Sequence, residues 1–354
     1  MDCAQERRGR ASWRTVRRAE PPFVSAAKIA KPECCLQLRR IPPAEKLLAP
    51  GVRSAVSGGN MKFTNILYPV DFSERCRTVA PFVNAVAQRN GASLTLVNFV
   101  EVPALWYGTA EAPCVPDLSI ARLVDDAREG LTMFAKEFFP CNETSGIHLE
   151  IRVEEGDPGS SIVAMARTSG VDLIMMPTRG HGLFRAALLG SVTAKVLHDS
   201  ECPVWTAAHA GEEGDSPSTE WRNVVCAVDT TPDARRLLDY AKELASAYGA
   251  AVHLVHAVPS GPDNRPEKYL ERDFDAFVKD SARKAIDAMQ KEAGTNFRLC
   301  VEGGNVSSIV AAVAKEDKSD LVLIGRGVLS HFAGRLRTHV YAIIRDAPCP
   351  VLSV

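Results

Sequence analysis

Two glycines with nine residues between them, Gly180 and Gly190, the second followed by Ser191-Val192, have the spacing in this chain that most invites chemistry. Glycine lets a backbone approach an anion's oxygens, and Gly190-Ser191 opens a helical pattern whose first N–H groups and dipole favour negative charge. The Ser191 hydroxyl can cap that helix or donate to a phosphate. Arg179 and His181 stand in the same loop and add positive potential. Upstream, Asp71 closes the apolar run Ile66-Leu67-Tyr68-Pro69-Val70. Its carboxylate can cap the helix that begins near Ser73, or accept a hydrogen bond from a ligand.

Other polar groups read more plainly. His181 and His331 have no partner evident in the sequence and are read as loop histidines facing solvent. Trp106 and Tyr107 either lid a pocket or fill a surface groove. Glu154, Glu155 and Asp157 form an acidic cluster; Asp157-Pro158 is also a helix-start signal, and that reading is preferred to a metal site. There is no G-x-x-x-x-G-K-[ST] loop, no kinase signature and no acid–base pair with an orienting partner. No catalytic residue and no metal ligand is therefore nominated.

An internal repeat must position these residues. Ile66–Asp71 is echoed by Val224–Asp229, and Ser93–Val100 by Ala251–Val258. Glu155-Gly156-Asp157-Pro158 returns as Glu302-Gly303-Gly304-Asn305, Asp172–Met176 as Asp320–Ile324, and Cys202-Pro203-Val204 as Cys349-Pro350-Val351. In the first copy, apolar runs near 64–70, 93–100, 147–153, 171–176 and 203–207 read as strands, with helical stretches near 74–90, 118–139, 158–169 and 190–199 between them. Strands near 223–228, 251–258, 296–302, 320–325 and 349–354 give the second copy the same plan. Apolar strands alternating with helices imply α/β domains, each a five-stranded parallel sheet with helices on both faces. Ligands of such sheets bind beyond the carboxyl ends of strands where the strand order reverses, which picks out Asp71 and the residues after Phe99 and Met176.

Composition limits the rest. Of 42 basic and 43 acidic residues, the first sixty positions hold twelve and five, leaving 30 against 38 in the remainder. A mildly acidic body lacks the electrostatic footprint for nucleic acid. No run of about eighteen apolar residues occurs, so no membrane span is expected. Ten cysteines without a C-x-x-C indicate neither a zinc site nor a disulfide framework, and point to reduced thiols in the cytoplasm. Residues 1–60 read as a basic extension: a disordered arm, an organelle address, or upstream sequence with Met61 as the start, the last being preferred. Domains are expected at 61–208 and 221–354, joined by a polar linker at 209–220.

The run Ile66–Glu74, together with Gly180, nine residues, and Gly190-Ser191-Val192, resembles the universal stress protein family over roughly 62–354, both copies. The resemblance implies two tandem Rossmann-like domains of the adenine nucleotide alpha hydrolase-like type, the first binding ATP with Mg2+ accompanying the phosphates. The site it implies comprises Val70, Asp71, Phe99, Pro177, Gly180, Gly190, Ser191 and Val192. Asp71 and Phe99 flank the base, while Gly180, Gly190, Ser191 and Val192 hold phosphates, mainly through backbone N–H groups. Pro177 replaces the first Gly of the family's Gly-x-x-Gly-x9-Gly-Ser/Thr pattern and removes any donor there. Phe99 is bulkier than the usual aliphatic residue, so it narrows the base pocket or stacks on it. The second copy reads Gly325-Arg326-Gly327-Val328 and then Arg337-Thr338-His339, a degenerate cradle; the alternative is that Arg326, Arg335 and Arg337 meet a phosphate by side chain.

The implied function is a stress-response or signalling protein that binds an adenine nucleotide without dedicated catalysis. A ligand-free interaction scaffold is the alternative, and a slow ATPase a third. Family members dimerise through their last strands. A tandem chain can make that contact internally as a pseudo-dimer, Val204–Thr206 beside Val351–Ser353, with further homodimerisation left open.

Overall fold

The computed structural model describes residues 61–101, 117–139, 147–180, 189–208, 220–259, 268–326 and 335–354. Its first half runs β1 (Asn65–Pro69), α1 (Glu74–Asn90), β2 (Ser93–Val100), α2 (Asp117–Phe138), β3 (Leu149–Glu155), α3 (Pro158–Thr168), β4 (Leu173–Pro177), α4 (Ser191–Asp199) and β5 (Val204–Ala207). The second half repeats it as β6 (Asn223–Ala227), α5 (Ala234–Tyr248), β7 (Ala251–Val258), α6 (Lys268–Ala293), β8 (Arg298–Gly303), α7 (Val306–Glu316), β9 (Leu321–Ile324), α8 (Arg335–Asp346) and β10 (Val351–Ser353). The extension 1–60, the joint 209–219, and Trp106, Tyr107, His181, Gly182 and His331 lie outside the described residues.

Local signals explain the element ends. Asp157 caps α3 by accepting from Ser160 N at 2.8 Å, with Pro158 in the first turn, and Asn305 caps α7 by accepting from Ser308 N at 3.2 Å. The acidic cluster at 154–157 thus contributes a helix start. Bonds from the Ser160 hydroxyl and N–H hold the Asp157 carboxyl below its ordinary pKa.

The strands form one sheet in the order β3-β2-β1-β4-β5-β10-β9-β6-β7-β8. Within each half all pairings are parallel, and the order reverses between β1 and β4 and between β6 and β9. The halves meet antiparallel, Val204 opposite Ser353, Trp205 opposite Leu352 and Thr206 opposite Val351. The two five-stranded parallel sheets are therefore continuous with each other, because each ends in an edge strand whose backbone groups need a partner.

Alternation along the strands splits the core into two layers. Ile66, Tyr68, Leu96, Met175 and Trp205 pack under α1 and α2 on one face; Leu67, Val97, Ile174 and Val204 pack under α3 and α4 on the other. The second half continues both layers, with α5 and α6 on the first face and α7 and α8 on the second. No described helix is long and apolar enough to cross a membrane.

One aspartate per half ties the central strands together at their N-terminal ends. Asp172 accepts from Thr64 N at 2.7 Å, Thr64 Oγ1 at 2.7 Å and Asn65 N at 3.0 Å. Its repeat mate Asp320 accepts from Arg222 N and Asn223 N, each at 2.8 Å. Asp172→Ala and Asp320→Ala are each expected to lower the unfolding free energy by about 1 kcal/mol. A urea titration should show a lower midpoint with an unchanged m-value.

Candidate functional site

Beyond β1 the chain takes a left-handed step at Phe72, φ 61°, an uncommon conformation for a side-chain-bearing residue. The Phe72 ring lies on α2 where Gly130 leaves room; a Cβ at Gly130 would come within 3.1 Å of it. Asp71 Oδ1 accepts from Ser73 N at 3.0 Å and from Cys76 Sγ at 2.9 Å. Ser73, not Asp71, caps α1, its hydroxyl accepting from Cys76 N at 3.3 Å. Burial, then the neighbouring Asp71 charge, pushes the Cys76 thiol up to about 12, so it stays protonated as a donor at neutral pH.

The other carboxylate oxygen of Asp71 points at Gly180. A Cβ on Gly180 would stand 1.9 Å from Asp71 Oδ2, so only glycine permits this approach. Gly190 is brought back to the same strand end: its N–H donates to Thr178 O at 2.9 Å, and a Cβ there would lie 3.4 Å from Arg179 Cα. Asp71, Gly180, Arg179 and Gly190 are thus successive neighbours at the carboxyl ends of β1 and β4. That is where the strand order reverses.

Helix α4 begins in this cluster. Its N-cap is Gly190, with extended backbone and no side-chain cap bond, so Ser191 does not cap the helix as its type suggests. The exposed Ser191 is the first helical residue instead, with half-buried Val192 after it and buried Thr193 turning its hydroxyl inward to Pro177 O at 3.1 Å. By position the N–H groups of Ser191, Val192 and Thr193 lack intrahelical acceptors. Arg179 adds charge: burial and then the Arg75 guanidinium lower its pKa, which marks two like charges at this rim.

The remaining sequence candidates separate. Val70 donates its N–H to Val97 O at 2.8 Å and its carbonyl accepts from Asn98 Nδ2 at 2.8 Å, an arrangement that fixes the end of β1. Pro177 ends β4 buried opposite Ala207, where a missing N–H costs nothing further. Half-buried Phe99 packs on the α3–α4 face, and no described contact ties it to Asp71 or to the glycines. Residue-type reasoning missed Cys76, whose partner Asp71 is five residues back across the turn, and Asn98 and Thr193, whose partners lie on other elements. Two hollows of about 320 and 360 Å3 lie elsewhere, one beside Thr95, His148 and Arg152, the other around Met133 on α2.

In the second half, Arg326 does not serve as a phosphate ligand. Its guanidinium is committed to the main-chain carbonyls of Leu197, Ser200 and Cys202, across the β5–β10 pairing. The side chains of Arg335 and Arg337 lie outside the described residues.

The model of the universal stress protein family matches this chain twice, over residues 62–207 and 220–354. The chain is 31% identical over 149 residues to universal stress protein Sll1654 of Synechocystis, spanning 42% of this chain and 87% of that protein. It is 27% identical over 153 residues to universal stress protein MJ0531 of Methanocaldococcus jannaschii, spanning 43% and 86%. A solved universal stress protein from Archaeoglobus fulgidus shares the fold with a TM-score of 0.57 at 22% identity, covering 83% of this chain and 97% of that one. Matched once in each half of its sheet, the chain belongs to the universal stress protein family as a tandem two-domain member.

Proposed function

We propose that the first domain binds ATP or another adenine nucleotide, and that the protein acts in cytoplasmic stress response or signalling without dedicated catalysis. One observation carries this reading: the Asp71 carboxylate, Gly180, Arg179 and the start of α4 are consecutive neighbours at the strand-order reversal. The cluster is polarised. Asp71 is an acceptor and suits a ligand's amine or hydroxyl groups, whereas the first N–H groups of α4 and the Arg75–Arg179 pair suit an anion. A nucleotide, with hydrogen-bond donors at its base and ribose end and negative charge at its phosphates, fits that polarity.

The resemblance implies a phosphate role for Gly180, but a carboxylate beside it disfavours an anion, so Gly180 is assigned to the base and ribose side. Gly190, Ser191 and Val192 take the phosphates through main-chain N–H groups. Val70 and Pro177 contribute by fixing the ends of β1 and β4, and Phe99 by packing on the α3–α4 face behind the site. Mg2+ accompanies the phosphates and is held by them. The second domain, with Arg337 in place of Gly190 and Arg326 engaged elsewhere, is silent. The two domains act as an intramolecular pseudo-dimer through β5 and β10.

Isothermal titration of ATP into the whole chain is expected to give one site per chain. Gly190→Arg, which imports the second repeat's residue, and Gly180→Ala, whose methyl must displace the Asp71 carboxylate, should each weaken binding by about tenfold or more. Absence of binding by the unsubstituted chain overturns the reading in favour of a ligand-free scaffold. A steady-state phosphate-release assay should stay at background for both the native chain and Asp71→Ala. Turnover abolished by Asp71→Ala would make the protein an ATPase.

A further inference from the structure

The second domain lost its glycine pair, yet the position at the mouth of β9 has a use. Arg326 stands where Thr178 stands in the first domain, and its own N–H is tied to Val354 O at 2.8 Å. From there its Nη1 donates to Leu197 O at 3.4 Å and Ser200 O at 2.7 Å, and its Nη2 to Cys202 O at 2.6 Å. These carbonyls belong to the last turn of α4 and the segment just past it. Helix-end carbonyls have no intrahelical donor, and a cation placed there also complements the helix dipole. Among the described residues Arg326 makes no ion pair, and its guanidinium hydrogen bonds there go to main-chain carbonyls. Tyr341 of α8 adds a second grip, donating from its hydroxyl to Ala194 O at 3.2 Å.

Both grips run in one direction. The repeat mates of Arg326 and Tyr341 are Thr178 and Ala194. Among the described residues the buried Thr178 hydroxyl has no partner, and an alanine side chain has nothing to donate, so these side chains return no such bond to α8 there. The helix that is gripped is the one whose other end is Gly190–Val192. It has nine residues, about 13 Å from end to end. A helix that short has little stability of its own, and its pose follows from its anchors.

We infer that Arg326, seconded by Tyr341, is a positioning residue for the first domain's nucleotide site: by holding the C-terminal end of α4 from the second domain, it sets where the N–H groups at Gly190–Val192 stand. This inference rests on the nucleotide reading given above. Ligand at one end of α4 and grip at the other are coupled, and such coupling is reciprocal. The domain without a site of its own thereby tunes the site of its neighbour.

The test uses the whole chain, titrated with ATP and followed by amide hydrogen exchange. Arg326→Ala should weaken ATP binding about fivefold or more, and Tyr341→Phe about twofold. Arg326→Lys keeps the charge without the fork and should not restore affinity. ATP should slow exchange across residues 196–203 in the native chain but not in Arg326→Ala. Asp320→Ala, which weakens the second domain away from the seam, should bind like the native chain. Native affinity in Arg326→Ala, full rescue by Arg326→Lys, or an equal loss in Asp320→Ala overturns the inference while leaving the nucleotide reading intact. Should Arg326→Ala fail to fold, native affinity in both Tyr341→Phe and Arg326→Lys overturns it. A native chain that binds no ATP removes the nucleotide reading, and this inference with it.

Discussion

Strands β5 and β10 would each leave a row of backbone groups bare if either domain stood alone, and their antiparallel pairing is what the rest of the molecule is arranged around. The seam is reinforced from within: Thr206 donates its hydroxyl to Val351 O at 3.5 Å, and Ser353 donates to Val204 O at 3.2 Å. Trp205 fills the α1–α2 face beside Phe82, ring centroids 5.8 Å apart, although its indole N–H finds no partner among the described residues. An apolar surface of that size outweighs one unmade hydrogen bond. Because the pairing is antiparallel, the second domain arrives rotated about an axis through the seam. That rotation brings α8 and the mouth of β9 against α4, while on the other face Asn90 and Arg89 of α1 meet Tyr248 and Phe63 meets Trp221.

Comparing the copies separates what the fold needs from what a ligand needs. Asp229, the mate of Asp71, accepts from Thr231 N at 3.0 Å and Thr231 Oγ1 at 2.6 Å. His256, the mate of Asn98, meets Val228 O at 2.8 Å just as Asn98 meets Val70 O. In both copies, then, the aspartate accepts from the N–H two residues on, although the left-handed step at Phe72 belongs to the first turn. The aspartate alone is no ligand signature, since it has this turn to make in either domain. What distinguishes the first copy is the glycine facing that aspartate and the glycine opening α4. Where those are replaced, the second copy has turned a loop residue into a fastening.

The sequence made the architecture legible because near-continuous apolar strands and a duplicated order of motifs leave few topologies. Strand and helix limits agree to within a few residues, and Asp157-Pro158 marked a helix start correctly. The site was legible only as a set of backbone positions: glycine spacing states that a main chain can come close, not what it comes close to. That Asp71 Oδ2 fills the space above Gly180, or that the Cys76 thiol donates to Oδ1, depends on a left-handed step at Phe72 that residue type does not announce. Of the two roles open to the Ser191 hydroxyl, capping falls away for a related reason. Capping needs a residue held extended just before the helix, and the Gly190 N–H bond to Thr178 O places Gly190 there instead. Arg326 was the hardest to read, since an arginine in a lost phosphate loop invites an anion, while its true acceptors lie more than a hundred residues away in the other domain.

The two ends of α4 show why a worn second copy need not be idle. At its N-terminus the helix presents donors and partial positive charge; at its C-terminus, acceptors and partial negative charge. The first domain supplies the surroundings of the donor end, through Gly180, Arg179 and Thr193. The acceptor end is served by the second, through a half-buried guanidinium whose partial removal from water lowers its pKa and is offset by the three carbonyls it meets. A single-domain relative must complete that end of the helix from within itself or from a partner molecule, and a mobile partner would give a mobile helix. Joining both domains in one chain makes the fastening intramolecular, independent of protein concentration. On the proposed reading, a second domain without a site of its own holds still the helix that the first domain offers to its ligand.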